Sequence, residues 1–314
     1  MTASDPRPAR AARAWPALLL TAGLGTRLAP LSAVRAKPAL PVAGTPLIVR
    51  MLEWLRAAGI DRVVMNLHHR ADSITRIVGD GARFGVEARY SWETEILGSG
   101  GGPARAIPLL ESDRFFIING DMITNVDLHA MAAQHIDTNA QVTMAVVDQR
   151  AGYNGVLADT RGIVHGFGTV GTSGTFHFLG VQAVNASAFA GVSPDRKSET
   201  VHGFYPSLLA TRPEAIRIFH SNAEYFDIGT PADYLSTAIA IAQREHRPLD
   251  RGRDGAVDAS ATLVDTILWD RVRIGPRVEL DQCIVADNVV VPEGARYSRA
   301  CLVMRDNELI AQSI

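Results

Sequence analysis

The chain has 314 residues, 47% of them apolar and 20% charged, with a formal net charge of −2. That balance fits a soluble protein with room for one large domain and a smaller one, and it gives no electrostatic reason to expect nucleic acid or an anionic membrane as partner. Two cysteines, Cys283 and Cys301, are too few for a disulfide framework or a cysteine metal cluster and point to a reducing, cytoplasmic setting.

Residues 1–14 read as a disordered tail. Arginines there precede an apolar run that lacks a convincing cleavage site and leads straight into a glycine motif, which argues against a signal peptide. No stretch is long enough to span a membrane. Short apolar runs predict buried strands: PALLL at 16–20, RVVMN at 62–66, FFIIN at 115–119 and VTMAVV at 142–147. Helical spacing lies between them. Leu47, Met51, Leu52 and Leu55 recur on one face with Gly59 as a stop, and a second helix starts near Asp127. Strands alternating with helices predict an α/β, doubly wound, mostly parallel sheet. The glycine-rich stretch 153–184 reads as antiparallel ribbon added to that sheet, and helical pattern returns over 231–245.

The polar linker HRPLDRGRDG, 246–255, closes a domain expected over 15–245. Beyond it the apolar period becomes six. Val272, Val278, Ile284 and Val290 form one series, and Val257, Leu263 and Trp269 another in a different phase. Six-residue repeats with Gly-Pro and Pro-Glu-Gly turns predict a short parallel β-helix over 256–314, about two coils long. So short a stack cannot bury its own core and should pack on the first domain.

The loop after the first strand carries chemistry. Gly23 and Gly25 let backbone N–H groups approach phosphate oxygens without an intervening Cβ. The dinucleotide fingerprint is disfavoured, because Leu28 stands where a third glycine belongs, and no Walker Gly-Lys-Ser/Thr follows. Arg27 and Lys37 place two cations beside the loop, suited to a triphosphate and a departing pyrophosphate. The whole stretch, AGLGTRLAPLSAVRAKPALPV, resembles the signature of the sugar-1-phosphate nucleotidyltransferase family, with Ala36 replacing a customary proline. The resemblance covers roughly 15–245, and relatives commonly carry a left-handed β-helical tail.

The resemblance implies an α/β, doubly wound mixed sheet with a Rossmann-like nucleotidyltransferase fold, and it implies roles for particular residues. Arg27 and Lys37 would contact the nucleotide phosphates, beside Ala22, Gly23, Gly25 and Thr26. ETEILGSGGG resembles the segment whose glycines pack against the base, here Gly98, Gly100 and Gly101. Asp121, just beyond the FFIIN strand, and Asp227, in EYFDIGTP, match the aspartates that bind Mg²⁺. Gly155 and Gly180 match positions lining the sugar phosphate. Many relatives carry a Glu-Lys-Pro lysine between those two glycines, and this chain has none there; His165 and His177 lie nearby. The expected substrates are an NTP and a sugar-1-phosphate, and a homo-oligomer is compatible. Glu93 or Glu95 could accept both N–H groups of guanine's pairing edge, which makes a guanylyltransferase acting on mannose-1-phosphate or a related sugar the first expectation. A uridylyl- or thymidylyltransferase and a non-catalytic sugar-nucleotide-binding paralogue are the alternatives.

Overall fold

The computed structural model describes residues 15–249 and 251–314; the tail expected over 1–14 lies outside the described residues. Strand β1 (Ala17–Leu20) is apolar at all four positions, as a central strand covered on both faces must be. A short hairpin, β2 (Pro41–Val42) and β3 (Thr45–Pro46), leads into α1 (Leu47–Ala57). There follow β4 (Arg62–Leu67), α2 (Ala71–Val78), β5 (Glu87–Trp92), α3 (Gly98–Leu110) and β6 (Arg114–Asn119). β1 pairs in parallel with β4 on one side and with β6 on the other, and β4 pairs in parallel with β5. The chain thus leaves β1 in opposite directions, and the switch point between β1 and β6 opens a crevice at the carboxyl ends of the strands, where such sheets bind ligands.

The strands divide their side chains between two cores. Leu19, Met65 and Ile118 pack with Leu52 and Leu55 of α1, whereas Leu18, Val64 and Ile117 pack with Ala106 and Leu110 of α3. Helices on both faces explain why the sequence shows continuous apolar runs instead of alternation.

After β6 come β7 (Met122–Thr124) and α4 (Leu128–Asp137), whose N-cap Asp127 accepts a hydrogen bond from the Ala130 N–H at 2.9 Å. β8 (Val142–Asp148), β9 (Gly155–Ala158), β10 (Val164–Gly168) and the long β11 (Thr175–Asn185) form the expected antiparallel extension. β11 pairs with β6, β8 and β9. α5 (Tyr205–Thr211) precedes β12 (Ile216–His220), which runs parallel to β8. β13 (Tyr225–Asp227) then leads to α6 (Pro231–Arg244), opened by a reciprocal Thr230–Asp233 capping box. Asp227 does not end a strand of the main sheet: β13 pairs antiparallel with β7 as a separate two-stranded ribbon.

The C-terminal part is a parallel β-helix of three coils, one more than its length suggested. The first is β14 (Ala256–Val257), β15 (Thr262–Val264) and β16 (Ile267–Leu268). β17 (Arg273–Ile274), β18 (Glu279–Asp281) and β19 (Ile284–Val285) stack on these, followed by β20 (Val290–Val291), β21 (Arg296–Ser298) and β22 (Ala300–Arg305). The coil length is 17 residues: Ala256 pairs with Arg273, and Arg273 with Val290. One side is therefore a residue short of six, and the strict six-residue series breaks. Val272, Val278 and Ile284 are buried, but Val290 is 53% exposed, and its neighbours Val289 and Val291 point inward instead. Val257 is exposed in the first coil, at the open end of the stack. A hairpin closes the other end, where β23 (Glu308–Ser313) pairs antiparallel with β22 around Asp306 and Asn307, both at positive φ.

The stack has a small core of its own, but Ile267, Trp269, Ile284, Ala286, Cys301 and Val303 join the large core of the first domain. Trp269 is 1% exposed and donates its indole N–H to the Tyr234 hydroxyl of α6 at 3.1 Å. Among the described residues, no helix is long and apolar enough to cross a membrane. Because Trp269 belongs to the shared core, Trp269→Ala should cost about 3–5 kcal/mol and lower the calorimetric Tm by roughly 10 °C. A Tm unchanged within about 2 °C would show that the two parts do not stabilise one another.

Candidate active site

Two clefts open at the carboxyl ends of β1 and β6. The first, about 340 Å³, is floored by the glycine loop and walled by Glu93, Ile96 and the start of α3. The second, about 390 Å³, lies between the 152–156 turn, β11 and β13. Arg27, Asn119 and Asp121 line both, so the clefts meet at these three residues.

The glycine loop is held from behind. The Thr21 N–H donates to Asn66 Oδ1 at 2.7 Å, and the Thr21 hydroxyl donates to the Asn66 carbonyl. Ala22, Gly23, Gly25 and Thr26 all face the first cleft. Gly25 takes φ 61°, a left-handed conformation that suits glycine, and starts the 3₁₀ turn that delivers Arg27. Lys37 lies on the next turn but one, is 9% exposed, and donates from Nζ to Asp121 Oδ2 at 2.9 Å.

Asp121 follows Gly120 past the end of β6, while Asp227 arrives on β13. The β7–β13 pairing sets Asp227 opposite Met122, and the Ile228 N–H donates to the Asp121 carbonyl at 3.1 Å. Burial and the charge of Asp121 hold the Asp227 carboxyl above the usual carboxylate range, opposed by Lys37 and Arg27. The Tyr153 hydroxyl donates to Asp227 Oδ2 at 3.4 Å, and the Thr237 hydroxyl donates to the Asp227 carbonyl at 3.1 Å. Gly229 leaves room here: a Cβ on it would stand 3.0 Å from Asp227 Oδ2 and 3.3 Å from Arg27 Nη1. The Asp121 and Asp227 carboxylates offer hard oxygen donors suited to Mg²⁺, which commonly takes one or two carboxylates beside substrate phosphates and water.

The base loop is built differently from the expectation. Gly98 and Ser99 line the first cleft, whereas Gly100 and Gly101 turn toward residues 196–198. The Gly100 N–H donates to the Ser198 carbonyl at 2.8 Å, and a Cβ on Gly101 would come within 2.5 Å of the Arg196 carbonyl oxygen. These glycines let the 196–199 strap dock. Glu93 lines the cleft at 5% exposure, with Oε1 accepting from Asn66 Nδ2 at 2.7 Å and Oε2 from the Leu97 N–H at 2.8 Å. Each oxygen keeps a further lone pair. Glu95 is exposed and stands outside the lining.

In the second cleft, Gly155 lies against Thr175, whose Cβ would be 2.1 Å from any Cβ added there. Gly180 is not a lining residue. It occupies a bulge of β11 at φ 75°, where a Cβ would meet the Asn119 side chain at 2.9–3.0 Å, so it acts by leaving Asn119 its place at the junction. His165 also lies elsewhere, exposed and 3.7 Å from Asp159. His177 does line the cleft, 3% exposed, with its ring 4.3 Å from that of Tyr153 and 5.0 Å from that of Tyr225. Burial, with help from Arg150, lowers its pKa to about 4, so the imidazole is neutral near pH 7. Arg27 is the one Lys or Arg among the residues lining this cleft, in a chain that lacks the Glu-Lys-Pro lysine. Tyr153, Asn119 and Asn66 were missed in the sequence because their roles arise from pairing across distant segments.

The sequence model of the nucleotidyl transferase family matches residues 16–168. The chain is 30% identical over 298 residues to mannose-1-phosphate guanylyltransferase from Mycobacterium tuberculosis, across 90% of this chain and 83% of that protein. It is 41% identical over 115 residues to N-acetylmuramate alpha-1-phosphate uridylyltransferase from Neisseria meningitidis, across 36% of this chain and 50% of that one. HddC from Yersinia pseudotuberculosis, solved in complex with GMP-PN, superposes with a TM-score of 0.64 at 25% identity, over 73% of this chain and all of its own. With an open switch-point crevice, a glycine loop bearing Arg27 and Lys37, and similarity to a guanylyltransferase over 90% of its length, the chain belongs to the sugar-1-phosphate nucleotidyltransferase family, enzymes that join an NTP to a sugar-1-phosphate and release pyrophosphate.

Proposed function

We propose that this chain is a Mg²⁺-dependent guanylyltransferase acting on mannose-1-phosphate or a closely related sugar phosphate. The observation that carries the reading is the junction of the clefts at Arg27, Asn119 and Asp121. A nucleotide in the first cleft and a sugar phosphate in the second bring their phosphates to the same charged residues. Glu93, with its carboxylate at the base end of the first cleft, supports guanine, as do the guanylyltransferase similar over most of the chain and the GMP-PN-bound HddC structure. The uridylyl reading is favoured by a specific observation too, the 41% identity over 115 residues. The buried free thiols of Cys283 and Cys301 support a cytoplasmic location.

The residues divide the work. Backbone N–H groups of residues 22–26 and the cations Arg27 and Lys37 hold the triphosphate and offset charge on the departing pyrophosphate. The sugar phosphate oxygen attacks the α-phosphorus in line, so the protein needs to align two phosphates and supplies no nucleophile. Asp121 and Asp227 would hold Mg²⁺, which when bound offsets repulsion between the two anions. Tyr153 and Thr237 fix the Asp227 segment.

Pyrophosphate release across GTP, UTP, dTTP, ATP and CTP with a panel of sugar-1-phosphates tests substrate choice. GTP with mannose-1-phosphate or a close relative should give the highest kcat/KM; a preference for UTP would replace guanine by uracil in this account. Arg27 has no carboxylate partner within ion-pair distance among the described residues, so Arg27→Ala should leave Tm nearly unchanged while kcat falls by roughly 10²–10³. Turnover within twofold of the parent would remove Arg27 from the site. Asp121→Asn and Asp227→Asn should each fold and lose most metal-dependent turnover, on the order of a hundredfold, with the double variant scarcely worse than the poorer single one. Metal titrations identical to the parent in both single variants would place the metal elsewhere.

A further inference from the structure

Arg35 belongs to the catalytic domain, two residues before Lys37, yet its guanidinium is spent on the β-helix. Nε donates to Asp287 Oδ2 at 2.8 Å, while Nη2 donates to Asp287 Oδ1 at 2.6 Å and to Asp270 Oδ2 at 2.9 Å. The group is largely buried, with 16% of its side-chain surface exposed, and it lies 5.1 Å from the centre of the Trp269 ring. Asp270 and Asp287 are equivalent positions on successive 17-residue coils, and the Asp270 N–H donates to Asp287 Oδ1 at 3.0 Å. The repeat of the stack therefore sets two carboxylates one above the other, in reach of one forked cation. Arg253 supplies Asp270 with a second partner, Nη2 to Oδ2 at 3.1 Å. A lysine cannot reproduce a bidentate fork of this kind.

From Arg35 the link to the cleft is short. The Ala36 N–H donates to Ser73 Oγ at 3.0 Å, and Lys37 opens the turn whose ammonium meets Asp121. Farther along the same segment, the Tyr234 hydroxyl, which accepts from Trp269, donates to the Pro41 carbonyl at 2.6 Å. Residues 35–41 are thus tied at one end to Asp270 and Asp287 of the β-helix, and at the other to Tyr234 of α6, which Trp269 of the β-helix contacts.

We propose that Arg35 is a positioning residue for phosphoryl chemistry, and that the coil-repeated pair Asp270 and Asp287 of the β-helix sets the place of Lys37 through it. The β-helix is then part of the active site's alignment as well as a cap on the core. The inference rests on the triphosphate role of Lys37, and its test separates the two.

The experiment compares Arg35→Lys, Asp287→Asn, Lys37→Ala and the double variant Arg35→Lys/Lys37→Ala. NTP dissociation constants and steady-state constants are measured well below each variant's Tm, on protein shown by calorimetry to be folded. Arg35→Lys and Asp287→Asn, the latter lying outside both clefts, should each lower kcat by about tenfold or more and weaken NTP, with KM for the sugar phosphate within twofold. In the Lys37→Ala background Arg35→Lys should cause no further loss, because it acts through that lysine. Hydrogen exchange over 26–40 should quicken in Arg35→Lys while the strands of the main sheet stay protected. A lower Tm with unchanged kcat and NTP affinity would reduce Arg35 to a structural tie, and multiplying losses in the double variant would show that it does not work through Lys37. If Lys37→Ala itself binds and turns over NTP normally, the role of Lys37 fails first, and with it the clamp.

Discussion

Asp121, at the junction of the two clefts, and Asp227, in the second of them, repel one another, and much of the surrounding structure serves to keep them there. A carboxylate at the end of β6 is an ordinary product of an α/β sheet; a second one facing it is not. It is delivered by a two-stranded ribbon outside the main sheet, with Asp227 opposite Met122 and Ile228 bonded to the Asp121 backbone. The pair is then opposed by charge from the glycine-loop side, from Lys37 at 2.9 Å and from Arg27. Such an arrangement is poorly suited to stability alone, since partly buried like charges cost free energy until a cation or a protonation offsets them. It suits a site through which two phosphate-bearing substrates and a hard cation pass.

The clefts differ in how they are made, and the difference bears on specificity. The first cleft is mostly backbone and small residues, held by Thr21, Asn66 and Glu93 in one buried chain of hydrogen bonds. The second is mostly side chains, with Tyr153, His177 and Tyr225 packed ring to ring. Arg27 lines both clefts, and on the function proposed above this one cation would serve two phosphates.

Much of this was legible in the sequence. The buried strands ending at Leu20 and Asn119 were plain because central parallel strands read as unbroken apolar runs, and the signature around Arg27 and Lys37 carried the family with it. Less legible was anything decided by pairing between distant segments. The partner of β13 is set by a β7 of three residues, too short to show a period. The roles of Gly100, Gly101 and Gly180 depend on what each would strike, namely the 196–198 backbone or Asn119, which no local pattern reveals. The β-helix was recognisable from its period, but a coil of 17 shifts the inward face by one residue, so Val290 faced solvent where counting by six placed it inside. Arg35 looked like any charged loop residue, because Asp270 and Asp287 are more than two hundred positions away.

On the function proposed above, the protein aligns two phosphates and takes no covalent part in the transfer. The most direct measurement is the stereochemical course at the α-phosphorus, using the chiral α-thio analogue of the accepted NTP and determining the configuration of the sugar nucleotide product. A single in-line displacement at the junction of the clefts predicts inversion. Retention would require a nucleotidyl-enzyme intermediate and a nucleophilic side chain, and would contradict the account.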